Sequence, residues 1–231
     1  MGLVKYNASW AGIDGGREGL WKEPLWTDVL RIISAHPNES VYDPESPIYI
    51  ELERAYPKEA WKSQTAEGSF RPLFRDYPNS WTRPGVLSLT GRQFNITDLG
   101  RDVLAGKVGK AEILVGMFRV HKQQINDTDE YDMPFSILAS AFLDTNRPLK
   151  TEEIFWAVMK NYRPGADDIV EVIKKKIPMI NETPQGTPYR RLRNMLSLMR
   201  TANAIESTRR ESGTFWSALD DDLLRKISEG R

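Results

Sequence analysis

The chain has 231 residues, with 32 Lys and Arg against 32 Asp and Glu, two His and no Cys. At 40% hydrophobic and 10% aromatic content it can bury a core, which excludes a disordered chain, and the lack of cysteine excludes a disulfide scaffold, a thiol nucleophile and a Cys-based zinc site. A formal charge of zero, taken over the whole chain, argues against nucleic acid, because phosphate binding calls for excess Lys and Arg.

No apolar run approaches the ~20 residues that span a bilayer, and the start, Met1 to Tyr6, lacks the apolar stretch of a secretory signal. A cytoplasmic protein with no membrane partner is expected. His36 and His121 are far apart and neither has a second His one helical turn away, so no helical metal pair forms.

The first 23 residues, with Gly12, Gly15, Gly16 and Gly19 around Arg17, read as an arm. Pro24 opens a helix with Leu25, Trp26, Val29, Leu30 and Ile33 on one face. Pro47 opens a second, whose Ile48, Leu52, Ala55 and Tyr56 recur at helical spacing. Ser69 caps a third, with Phe70, Leu73, Phe74 and Tyr77 as its stripe. Alternating residues from Val86 to Leu89 and from Gln93 to Ile96 flank Thr90-Gly91-Arg92, the signal of a hairpin. Thr97 then caps a helix through Leu99, Val103 and Leu104 that Gly106 ends. Three helices followed by a hairpin is the order of a winged helix-turn-helix domain.

The order recurs. Residues 109–125 read as a connecting helix, with His121 on its apolar face, and residues 126–132 as an acidic loop. Pro134 starts a helix with Ile137, Leu138, Ala141 and Phe142 inside; Thr151 caps another with Ile154, Phe155, Val158 and Met159 inside. An inserted helix at Ala166 to Lys176 precedes a longer one opened by Thr187-Pro188, with Tyr189, Leu192, Met195, Leu196 and Met199 buried. Residues 204–207 and 214–218 bracket Arg209 to Gly213 as a second wing, and Leu219 to Ile227 closes the chain as a helix. The expected fold is mainly α (α+β): two tandem winged helix-turn-helix domains with short hairpin wings, over 1–107, arm included, and 108–231, connecting helix included.

Locating the charges changes what zero means. Residues 187–210 hold Arg190, Arg191, Arg193, Arg200, Arg209 and Arg210 against Glu206, a net +5; residues 68–93 hold Arg71, Arg75, Arg83 and Arg92 against Asp76, a net +3. Both surpluses fall on a presumed recognition helix and its wing, and both are arginine, whose planar fork can take the O6/N7 edge of guanine bidentately. On the helix from 187 to 200, Arg190, Arg193, Asn194 and Ser197 share the face opposite the apolar stripe. Arg92, Arg209 and Arg210 at hairpin tips suit phosphate or minor-groove contacts. The candidate DNA-binding residues are therefore Arg17, Arg71, Arg75, Arg83, Arg92, Tyr189, Arg190, Arg191, Arg193, Asn194, Ser197, Arg209 and Arg210. Lys174 to Lys176, following Asp167-Asp168, read as charges that complement a helix dipole.

A cleavage centre would need carboxylates and a lysine converging on Mg²⁺. Asp43 with Glu51-Leu52-Glu53-Arg54 is the nearest candidate, but it lies on a helix and ends in Arg, so no catalytic or metal residue is assigned and no cofactor is expected in this chain.

The succession Phe94-Asn95-Ile96-Thr97-Asp98-Leu99-Gly100-Arg101, then Gly109 to Leu114, Phe135-Ser136-Ile137-Leu138 and Leu149-Lys150-Thr151-Glu152-Glu153 resembles the DNA-recognition part of FokI-like type IIS restriction endonucleases. The resemblance spans roughly residues 24–217 in organisation. It implies tandem winged helices reading an asymmetric duplex site for a separate nuclease domain or subunit, which would bring its own Mg²⁺. A winged-helix transcriptional regulator and a winged-helix protein-interaction scaffold are the alternatives.

Overall fold

The computed structural model describes residues 21–40, 43, 45–56, 81–124, 131–160 and 186–229. The expected helices at 69–77 and 166–176, residues 1–20 of the arm and most of the acidic loop lie outside them. The protein is mixed helix and strand, in agreement with the α+β class, and divides into two compact units with the change at Ile113/Leu114.

In the first unit, α1 (Leu25–Ala35) and α2 (Pro47–Ala55) lie where Pro24 and Pro47 place them, although Pro24 is the residue before α1 and Tyr56 the residue after α2. Helix α1 buries Trp26, Val29, Leu30, Ile32 and Ile33. Helix α2 is capped by Ser46, whose hydroxyl accepts from the Tyr49 amide at 3.2 Å. Its inner face is Ile48, Tyr49 and Leu52, while Ala55, expected inside, is exposed. A buried Tyr next to Ile48 turns the stripe away from the position seven residues on.

The hairpin pairs β1 (Leu87–Thr90) with β2 (Gln93–Ile96) in the register Leu87↔Ile96 to Thr90↔Gln93. Gly91, first of the two loop residues, has φ 64°, the sign that a type II′ turn needs there. Thr97 caps α3 (Asp98–Leu104) as expected: its Oγ1 accepts from the Gly100 amide at 3.0 Å and donates to the Gly85 carbonyl at 2.6 Å. One side chain thereby starts the helix and ties it to the hairpin.

Helix α4 (Lys110–Val120) ends earlier than the predicted residue 125. The chain must leave the helix because β3 (Gln123–Gln124) pairs antiparallel with β4 (Tyr131–Asp132), a partnership that helical periodicity cannot report. His121 therefore sits past the helix end, with its ring edge-on to Phe135 at 5.7 Å.

The second unit is built from α5 (Pro134–Thr145), β5 (Leu149–Lys150), α6 (Thr151–Lys160), α7 (Gly186–Thr201), β6 (Ile205–Arg210), β7 (Gly213–Ala218) and α8 (Asp221–Ser228). Helix α5 is buried on nearly all sides, from Phe135 to Phe142, and α8 packs against it. There Ser136, fully buried, donates to the Ile227 carbonyl at 2.7 Å. Helix α8 starts later than predicted: Asp220 caps it, accepting from the Leu223 amide at 2.9 Å, and Leu219 stands outside it, exposed.

The strands form an antiparallel sheet in the order β5-β7-β6, with Leu149↔Trp216, Lys150↔Phe215 and Ile205↔Ala218 through Arg210↔Gly213. β5 is two residues long, too short for an alternating pattern, and only the sheet reveals it. Thr151 does not act as the predicted helix cap. It is the first residue of α6, and its buried hydroxyl accepts from the Trp216 indole at 2.8 Å and donates to the Thr214 carbonyl at 3.2 Å, which fastens the helix start to β7.

Candidate nucleic-acid interface

Helix α7 has two chemically distinct sides. Leu192, Met195, Leu196, Leu198 and Met199 are buried, which adds Leu198 to the predicted stripe. Arg190 and Arg193 are exposed, with Asn194 and Ser197 half-buried beside them. These four positions repeat at the i, i+3, i+4, i+7 spacing that keeps side chains on one helix face, so the face has donors to solvent and its back wedged in the core.

Tyr189, expected in the buried stripe and also among the DNA contacts, is half-buried. Its ring stands edge-on to Phe155 at 5.4 Å and its hydroxyl donates to Glu152 at 3.0 Å. Burial, then the hydrogen bond and the charge of Glu152, push the phenol up to about 12 from its usual 10, against a smaller opposing effect of Arg193. The Arg193 guanidinium lies 6.0 Å from the centre of the Tyr189 ring, within cation–π reach. Arg191 is half-buried, its Nε enclosed with no hydrogen-bond partner among the described residues.

Not every arginine of the basic stretch faces outward. Arg200 donates to the Ser207 hydroxyl at 2.8 Å and lies 5.9 Å from the Trp216 ring, so it joins the end of α7 to the hairpin. Part of the +5 is thereby taken up in internal contacts. The turn of the hairpin is Glu211-Ser212, so Arg209 and Arg210 end β6 and do not occupy the tip where the spacing of Gly213 had suggested them. Strand alternation puts them on opposite faces of the ribbon. Both are exposed, and Arg210 is stacked at 5.0 Å over Phe215 on the face that also holds Lys150.

In the first unit Arg92 is the second residue of the hairpin loop and Arg83 precedes β1; both are exposed. Arg17, Arg71 and Arg75 lie outside the described residues. Of the carboxylates nearest to a metal-binding pattern, Glu51 is 2.7 Å from His36 Nε2, and Asp43 accepts from the Glu45 amide at 2.9 Å.

Sequence reasoning did not single out Lys150, Glu152, Arg200 or Phe215. In the sequence Arg200 counts only as part of the basic stretch, and the Lys-Thr-Glu-Glu run reads as a helix start and as part of the family resemblance, with no site role for its Lys150 or Glu152. No protein-family model matches the chain, and no curated protein is significantly similar to it in sequence.

Proposed function

We propose that the chain binds double-stranded DNA sequence-specifically, with the second unit as a winged helix-turn-helix whose recognition helix is α7 and whose wing is β6–β7. What supports this is the succession α5, β5, α6, α7, β6, β7 with the sheet order β5-β7-β6, an arrangement that backs a helix with a sheet and leaves the helix's outer face free to enter a groove. The observation that carries the reading is the outer face of α7: Arg190 and Arg193 exposed opposite a buried apolar stripe, next to a hairpin whose first strand ends in Arg209 and Arg210. Arg193 and Asn194 would read base edges, and Arg210 would hold phosphate. The hairpin of the first unit, with Arg92 in its loop, is proposed as a second wing, and that unit as a second winged helix.

The sequence resemblance extends the proposal to a role: target recognition for a type II restriction endonuclease, with cleavage and Mg²⁺ supplied by a nuclease domain or subunit. Selection of duplexes with a randomised centre, followed by gel shifts of the selected and unselected pools at two salt concentrations, tests the reading. A single asymmetric consensus bound by one chain supports it. Two chains on a two-fold consensus make the protein a transcriptional regulator, and the absence of any salt-dependent shift makes it a protein-interaction scaffold.

A further inference from the structure

Glu152 stands where an acidic residue is least expected, between the basic face of α7 and the arginine-bearing hairpin. Its side chain is 22% exposed, as is that of Lys150. One oxygen accepts from the Tyr189 hydroxyl at 3.0 Å. The other is enclosed without a hydrogen bond among the described residues, and Lys150 Nζ is 3.7 Å away. Leaving a buried carboxylate oxygen half-satisfied costs stability, so the residue calls for an account beyond packing.

The surroundings supply it. Lys150 lies on the sheet face that carries Phe215 and Arg210, and its stem passes over Gly213: a Cβ there would meet Lys150 Cε at 2.7 Å and Glu152 Oε2 at 3.5 Å. Tyr189 is one helical turn before Arg193 and supports its guanidinium with the ring. Glu152 thus touches both reading elements, the start of α7 through Tyr189 and, through Lys150, the hairpin beside its turn at Gly213. It does so from α6, an element with no proposed DNA contact.

Resting on the DNA-binding reading, we propose that Glu152 is a positioning residue for base discrimination: it holds Tyr189, and through it Arg193, at a fixed distance from the hairpin arginines. A charge placed here weakens attraction to phosphate in general, so its contribution is to selectivity. The rotational freedom of Arg193 is what it removes.

The test compares the duplex that the full chain selects from a randomised pool with the unselected pool, for the wild type and three variants, together with thermal unfolding of each. Glu152→Ala is expected to weaken binding to the selected duplex by about tenfold, the scale of one charge-assisted hydrogen bond, while binding to the unselected pool rises because a carboxylate has gone. Glu152→Gln loses the charge but keeps an acceptor for Tyr189, so pool binding rises equally and selected-duplex binding stays within about threefold of wild type. Tyr189→Phe keeps the charge, loses the hydrogen bond and is expected to lower selected-duplex binding alone; it carries the test if Glu152→Ala does not fold. If Gln matches Ala, only charge matters and the proposal is overturned. A selectivity unchanged in all variants, whatever their unfolding temperatures, also overturns it. Failure of the wild type to bind either duplex overturns this inference and the DNA-binding reading together, whereas wild-type selection with unaltered variants removes this inference alone.

Discussion

Replacing Thr151 by Val tests whether the hairpin is fastened to the helices as the structure shows. The substitution keeps the shape and removes the hydroxyl of a residue 2% exposed, which stands between the Trp216 indole at 2.8 Å and the Thr214 carbonyl at 3.2 Å. Each hydrogen bond lost is worth about 1 kcal/mol net, and the Trp216 donor, on a side chain 4% exposed, is left buried without an acceptor at a further ~1–2 kcal/mol. The expected loss is roughly 3–4 kcal/mol, readable as a lower urea midpoint and as faster exchange of the Trp216 indole proton. Thr151→Ser keeps both bonds and gives up one buried methyl, about 1 kcal/mol. Thr151→Asp separates the two roles available to this residue: aspartate is a good helix cap, so a capping residue would tolerate it, whereas here it cannot donate to Thr214 and buries a charge. A loss below ~0.5 kcal/mol for Val, or wild-type stability for Asp, would refute the reasoning.

Gly100→Ala would place a Cβ 2.3 Å from the Val86 carbonyl oxygen and 2.5 Å from Ile96 Cγ1; backbone cannot yield as a side-chain end can, so a loss of ~3 kcal/mol or more is expected in urea unfolding, against little change for Gly116→Ala, whose Cβ meets nothing within 4 Å. Arg193→Ala should cost about 1–3 kcal/mol on the selected duplex and relax preference at one base pair, while Arg210→Ala should weaken binding to all sequences and flatten the salt slope; equal losses on selected and random duplex for Arg193→Ala would remove its base-reading role. Burial first, then a carboxylate neighbour, lift Tyr49, Tyr56 and Tyr189 from 10 to about 12. A phenol whose pKa is raised by folding favours the protonated form, so its contribution is whole below pH 10 and is lost as pH climbs from 10 towards 12. Phenolate absorbance should therefore show a late-titrating group of tyrosines and a fall in stability over that window, and uniform titration near pH 10 in the folded protein would contradict it.

How far the chain spoke for itself can be judged element by element. Helices α1, α2, α3 and α7 were legible because each buries one face against a neighbour, and that demand writes a 3.6-residue period into the residues. The hairpin turn at Gly91 and the cap at Thr97 were legible because a positive φ and an unpaired amide each restrict which residue will serve. The Arg190–Arg193–Asn194–Ser197 face follows from the same period, as the complement of the buried stripe.

What lay beyond the sequence depends on partners distant in the chain. Strand β5 exists because β7 pairs with it, and the hydroxyl of Thr151 is drawn from capping to Trp216 by a residue 65 positions away. The same sheet decides which arginines face solvent: it captures Arg200 at Ser207, stacks Arg210 on Phe215 and turns Arg209 to the opposite face. Local spacing sets where a charge can stand on its own helix or strand. The opposing surface, which only the folded chain brings up, sets whether that charge is already taken.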